Sequence, residues 1–366
     1  MSTFIKACIV AASIVLTIPN ATALAASGAK TEKASAFPTA FKKTETNRIK
    51  YDDLDLLLKQ TILQTGRSNH KPASKPAIIT GTRVSYGNSK PSRLEGNRAL
   101  FHQQTDELQR VSKALRDTML AMPERIDFST LSKNEQLAFW LNLHNIIVYQ
   151  EIATRYPITD LRPVMGGCEG KKSIYCQQKY TLSGKSISLQ DIRDHIIQNW
   201  NDPLVIYGFY LGAVGTPNAR AGAFTGENVW RGLHENAVDF IHSVRGTRLR
   251  SGKRLAVSEY YSRFSTYFPD FEKNLLTHIK EYAEPAYAAK LDNVKKLQAT
   301  INDWNIADLY NGHLKDPTGA GNVRRVDPRS ARGVNPIPLH AQRLLTDIQD
   351  RNNKRDAKAR NGAKSR

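Results

Sequence analysis

Glu135, Asn142, Asn145 and Tyr149 have the residue types and the spacing to act together. They belong to NEQLAFWLNLHNIIVYQEI, residues 134–152, and at about 100° per helical residue they fall, with Ala138, inside an arc of about 80°. In a catalytic reading Glu135 is the general base, and the amides of Asn142 and Asn145 offer donors and acceptors to the reacting group. Tyr149, with Asn218 and Arg220 on a downstream loop, then binds the substrate, an anionic or amide-bearing ligand. In a structural reading the same seam has another task. A buried asparagine must hydrogen-bond, and the backbone of an irregular loop is a common partner. Glu135, three residues after Ser132, also completes the pattern of a helix capping box. Both readings stay open at this level.

Other chemistry finds less support. His144 lies about 180° from Glu135 on the same helix, which makes it a packed or surface histidine rather than a member of the seam. His234 and His242 are eight residues apart, not the four of a zinc-binding helix, so no metal site is expected. The chain holds no G-x-S-x-G elbow, phosphate loop or dinucleotide fingerprint, and no cofactor is expected. Cys168 and Cys176 are the only thiols beyond the first residues. Their spacing is not C-x-x-C, and a disulfide closing the short loop is the expectation.

These residues need elements to hold them. The 134–152 segment is apolar almost all round, as a helix buried on most sides would be, with Ser132 as its N-cap. A hairpin is expected from Ser173–Leu182 and Lys185–Ser188 around Ser183-Gly184, then a helix opened by Ser188 and Asp191 and running to about Asn199. After Asp202-Pro203, the apolar run Leu204–Leu211 predicts a buried strand that leads into the turn-rich segment Gly212–Asn218. A helix over 226–244 capped by Thr225 follows, then aromatic-rich helices over 260–282 interrupted at Pro269. Upstream, helical spacing over 52–63 and 94–122 gives a lead-in to the core. The expected fold class is α+β: a mainly helical domain with a small antiparallel sheet or hairpin.

The ends differ from the middle. Lys6, the apolar run Ala7–Ile18 and the small residues up to Ala25 form the pattern of a signal peptide cleaved before Ala26, which predicts a periplasmic or secreted protein. Residues 26–46 read as a linker, 47–94 as helical lead-in and loop, 95–312 as the globular domain and 313–366 as a disordered basic tail. The formal charge is +19, and 313–366 carries thirteen basic and five acidic side chains. Such a tail attracts polyanions. In an envelope compartment the expected partner is an anionic component, a lipid head group or polysaccharide, or another protein; nucleic acid is not expected there.

The segments EQLAFWLNLHN, KYTLSGKSISLQDIRDHII, DPLVIYGFYLGAVGTP, FTGENVWRGLHENAVDFI and YFPDFEKNLL, in this order, resemble the domain of unknown function 547 family. INDWNIADL at 301–309 adds a sixth likeness, and together they cover roughly residues 95–310. The resemblance implies a compact α+β domain and carries no settled activity. The family's cysteine positions are matched here by Leu211 and Thr216, so a thiol nucleophile used by relatives would be lost from this chain. Three readings follow: a noncatalytic envelope protein that binds an anionic or protein partner, a hydrolase or transferase acting on peptide or envelope material, and a degenerate relative of a thiol enzyme.

Overall fold

The computed structural model describes residues 37–38, 47–65, 68, 70, 96–168, 173–251, 253–310 and 312–313. The expected leader, most of the linker and of the loop after residue 65, and the basic tail lie outside the described residues.

The chain enters through helix α1 (Asp52–Thr61), which buries Leu54 and Leu57, and a two-residue strand β1 (Ile62–Leu63) paired antiparallel with β2 (Arg98–Ala99). Helix α2 (Asp106–Arg125) starts at Thr105, whose side chain accepts from the Leu108 N–H, a satisfied N-cap. The central element is α3 (Lys133–Arg155). Seventeen of its side chains are buried, so it is a core helix rather than an amphipathic surface one. A single turn, α4 (Arg162–Met165), leads to the disulfide between Cys168 and Cys176, with Cα atoms 5.2 Å apart.

The hairpin of β3 (Tyr180–Leu182) and β4 (Lys185–Ile187) turns at Ser183-Gly184, both at positive φ as a tight two-residue turn requires. It is shorter than the sequence predicts. Helix α5 (Leu189–Asn199) has the expected capping box in full: Ser188 accepts from the Asp191 N–H and the Asp191 carboxylate from the Ser188 N–H.

The expected strand at 204–211 is not formed. Pro203–Gly208 is a 3-10 helix instead, started by Asp202, whose carboxylate accepts from the Leu204 N–H at 2.8 Å. A proline one residue inside a side-chain cap is preset for helical φ, and an unbroken apolar run indicates burial without choosing a backbone conformation. The next helix, α6, is Val229–Ile241, shorter at both ends than the expected 226–244. Thr225 closes a preceding turn by accepting from the Asn228 N–H rather than capping the helix itself.

After α6 come β5 (Thr247–Arg250) and β6 (Arg254–Ser258), a 3-10 stretch at Glu259–Tyr267, α7 (Phe271–Tyr282), α8 (Pro285–Leu291) and β7 (Lys296–Ile301). β5 and β6 are antiparallel, while β7 joins β6 in parallel, a mixed sheet with β6 central. Residues 303–307 then run back to the core, where the Val214 N–H donates to Asn305 and the Ala307 N–H to Gly212. The architecture is α+β and mainly helical. Among the described residues no helix is long and apolar enough to cross a membrane.

Several histidines are enclosed by this packing. His144 is fully buried, with Nδ1 3.0 Å from Asn145 Oδ1 and Nε2 3.2 Å from the Tyr175 hydroxyl, and burial lowers its pKa to about 3. Burial likewise lowers His195 and His278 to about 4. Each is neutral in the folded protein and protonates near the ordinary value once unfolded, so the unfolded state takes up protons first. Their contribution to stability is full above about pH 6.5 and is lost as pH falls toward the folded values. The urea midpoint is therefore expected to be flat from pH 8 to 7 and to fall steeply between pH 6.5 and 4; a midpoint constant to pH 4.5 contradicts this.

Candidate functional site

The seam of α3 faces the irregular segment 208–226, and its side chains hydrogen-bond to that segment's backbone. Asn145 Nδ2 donates to the Gly208 carbonyl (2.8 Å), and its Oδ1 accepts from the Tyr210 N–H (3.0 Å). One turn toward the N-terminus, Asn142 holds both polar groups of a single residue: Nδ2 donates to the Phe224 carbonyl (2.8 Å) and Oδ1 accepts from the Phe224 N–H (3.0 Å). A primary amide has one donor face and one acceptor face, so it replaces the strand that Phe224 lacks.

Glu135 continues the series. Ser132 caps α3 by accepting from the Glu135 N–H (3.0 Å), but the carboxylate is not returned to Ser132 as the capping-box pattern implies. Its Oε1 accepts instead from the Gly226 N–H (3.1 Å), with the Ile49 amide also within reach of the carboxylate. Glu135 is 5 % exposed, and burial raises its pKa against the lowering effect of these two amides. Gly226 has to be glycine for this contact, since a Cβ there would lie 2.5 Å from Glu135 Oε1.

Tyr149 and Tyr51 complete the seam. The Tyr149 hydroxyl accepts from Gln104 Nε2, and burial pushes its pKa up to about 12. Tyr51, which sequence reasoning did not single out, brings its hydroxyl to Asn142 and Glu135, and burial raises its pKa. Its sequence position, just before a lead-in helix, carries no sign of this role. The space left among Leu54, Ile62, Asn142, Asn145, Tyr149 and Phe224 is about 20 Å³, room for roughly one water molecule.

Asn218 and Arg220 lie along the same loop but belong to a second network. Asn218 Oδ1 accepts from the Asn97 N–H (2.9 Å) and from Arg245 (2.8 Å), while its Nδ2 donates to Asp239 (2.5 Å). Arg245 is the hub. It is buried, pairs with Asp239 at 3.0 Å, donates to the carbonyls of Val214 and Thr216, and lies over the Phe240 ring. Sequence reasoning missed it, because an arginine within IHSVRGTRLR looks the same as its exposed neighbours. Arg220 pairs with Glu235 (3.1 Å) and stacks on Phe224.

This second network floors a cleft of about 640 Å³. Asn97, Asn218, Arg220, His234, Asp239 and Glu284 are among its lining residues, so amides and charges of both signs stand in a wall that Ala221 and Val238 also line. His234 is exposed, edge-on to Tyr282, whereas His242 is buried and accepts from the Glu284 N–H. Among the described residues no three His, Cys, Asp or Glu side chains are grouped to hold a metal ion.

Residues 128–241 match the family model described as "Protein of unknown function, DUF547". The chain carries a DUF547 domain. The matched span begins at the turn before α3 and ends with α6, and so contains the seam, the clamped segment and the helix beside the cleft. No curated protein and no solved structure matches the chain. In the DUF547 domain of this chain, Leu211 is buried in the core, and the Thr216 hydroxyl donates to the Ala213 carbonyl (2.8 Å).

Three substitutions test this arrangement. Asn142→Ala strands the buried N–H and C=O of Phe224 and is expected to cost about 2–5 kcal/mol, with faster proteolytic cutting at 219–226. Gly226→Ala is expected to cost about 1–3 kcal/mol through its clash with Glu135. Arg245→Ala leaves Asp239 buried without its cation and should cost about 3–5 kcal/mol. Urea midpoints within about 0.5 kcal/mol of wild type for these variants would contradict the clamps.

Proposed function

We propose that this chain is an exported, noncatalytic binding protein whose polar cleft takes an amide-bearing segment of a protein partner. In this reading its basic C-terminal residues draw it to an anionic envelope component, a lipid head group or polysaccharide. The single observation that carries the noncatalytic reading is the use of the seam. Glu135, Asn142 and Asn145 bond to the backbone of 208–226, and the room beside them is one water wide. A general base must reach a substrate proton within about 3 Å, directly or through one water. The cleft, by contrast, has the volume of a small-ligand site and is lined by amides and paired charges together with Ser68, His234 and His242.

Export is supported by the leader pattern at 1–25 and by the disulfide, a bond that persists in oxidising compartments. The thiol-enzyme descent is disfavoured by the setting of Leu211, where even a restored thiol would be enclosed in the core.

Peptides selected on the full-length mature chain from a displayed random octapeptide library test the cleft. The selected peptides are expected to lose at least tenfold in affinity to His234→Ala, a change at an exposed position, with the urea midpoint measured alongside to show that the variant is folded. Wild-type affinity in that variant would move the site elsewhere. Hydrolysis of a bound peptide, abolished in a folded Asn142→Ala protein, would instead favour the hydrolase reading. N-terminal sequencing of the chain from the periplasm of an expressing bacterium is expected to begin at Ala26; an intact Met1 terminus in the cytoplasm overturns export.

A further inference from the structure

The chain leaving β1 passes along the wall of the cleft and is pinned where the end of α6 meets the start of α8. The Thr65 N–H donates to Asn97 Oδ1 (3.3 Å), the Ser68 N–H to Asp239 Oδ1 (3.0 Å) and the His70 N–H to the His242 carbonyl (2.9 Å). The half-buried His70 ring lies on Tyr287, with centroids 4.2 Å apart, and the His242 ring is 5.6 Å away. Its Nε2 is 3.1 Å from Thr247 Oγ1. His70 has a φ of 55°, in the left-handed region that L side chains rarely adopt, so these contacts hold it against its own backbone preference.

The hydrogen bonds fix the protonation of both rings. Thr247 has one hydroxyl proton, and it goes to the Ile241 carbonyl (2.7 Å), which can only accept. The Tyr287 hydroxyl (2.7 Å) and His70 Nε2 therefore both donate to Thr247 Oγ1, and the bare nitrogen of a neutral His70 is Nδ1. His242 Nε2 accepts from the Glu284 N–H (2.8 Å), so it too is bare, and a proton there would set donor against donor. Asp239 on α6 and Glu284 before α8 face His242 and favour its charged form. The carbonyls of Thr247 and Ile241 favour charge on His70, whereas Lys290 on α8 opposes it. Burial outweighs the favourable groups in both rings: it lowers the pKa of His242 and, with His242 as the next cause, brings His70 down to about 4.

We propose that Ser68 and His70 form an acid-released strap, docked across the joint of α6 and α8 near neutral pH and freed when the histidine pair becomes charged. Histidine is the side chain whose ordinary titration falls between pH 5 and 8. Undocked, His70 meets water and regains the ordinary value of about 6.5; docked, it stays neutral down to about 4. The undocked form therefore takes up protons first, and docking weakens as pH falls below 6.5 and stops weakening below 4. Ser68, Asp239, His242 and Glu284 all line the cleft, so release removes Ser68 from its wall. That consequence for a ligand rests on the cleft being the binding site; the strap itself does not.

Hydrogen–deuterium exchange of the full-length mature chain, read by mass spectrometry and corrected for the intrinsic effect of pH, tests the strap. Protection of the amides in 64–70 is expected to fall about 30-fold from pH 7.5 to pH 5, the change set by values of about 6.5 undocked and 4 docked. It should stay well below the protection of α3 at both pH values, the mark of a local opening. His70→Phe keeps a ring against Tyr287 but cannot become charged, so its fall should be under about threefold, the part left to His242. Equal protection of wild type at the two pH values overturns the proposal, and so does a 30-fold fall in His70→Phe. Protection of 64–70 that matches α3 at pH 5 overturns it too, because the loss would then be unfolding of the whole domain. If His70→Phe is already unprotected at pH 7.5, the wild-type result decides. No ligand enters this readout, so failure of the strap and failure of the cleft as a binding site are separate results.

Discussion

A stretch of backbone that is buried yet neither a complete helix nor a strand must find hydrogen bonds from side chains, and this domain is organised around that need. Residues 204–213 are buried almost throughout, although only a short 3-10 helix regularises them. Every buried N–H or C=O left unpaired costs on the order of 1–3 kcal/mol. Helix α3 meets the demand from a single seam, with Asn145 at Gly208 and Tyr210, Asn142 at Phe224 and Glu135 at Gly226. The spacing of the three residues follows the helix, so the segment is laid along α3 in one register. Sliding it by one residue would break every one of these bonds at once.

That requirement shapes what lies on the other side of the segment. Once 208–226 is fixed from beneath, Asn218 and Arg220 are presented toward α6, where Asp239 and Arg245 lock Asn218 from two directions. The cleft is thus the outer surface of a loop whose inner surface is consumed by the helix. Polarity serves opposite ends on the two faces. Beneath the loop Glu135, Asn142 and Asn145 are bonded to backbone with almost no room beside them; outside, the paired charges border a cleft large enough for a ligand.

Much of this was legible in the sequence because it rests on local rules. The capping box at Ser188 and Asp191, the Ser183-Gly184 turn, and the position of the polar seam on an otherwise apolar helix depend on residues within a turn or two of each other. The features that were not legible depend on partners far along the chain. Glu135 has the spacing of a capping residue, yet Gly226, more than ninety residues away, offers a part-buried N–H at 3.1 Å, and the carboxylate accepts from that donor. The Leu204–Leu211 run is as apolar as any strand, and only the Asp202-Pro203 start distinguishes a helical turn. β7 pairs in parallel with β6 across two intervening helices, a contact that no hairpin signal announces. Tyr51 and Arg245 gain their roles from burial alone.

The decapeptide from Ile241 to Arg250 shows how far burial decides the fate of one residue type. Arg245 is enclosed, and a buried guanidinium without compensation would be untenable; Asp239, Asn218 and two carbonyls supply what water would have. Arg248 and Arg250, three and five residues later, stand in solvent, where hydration suffices and repulsion between neighbours is weakened by the high dielectric. The first arginine is therefore bound to the fold and cannot serve a partner without unfolding it. The others are tolerated by the fold without being needed by it, which leaves their charge free for whatever surface the sheet meets.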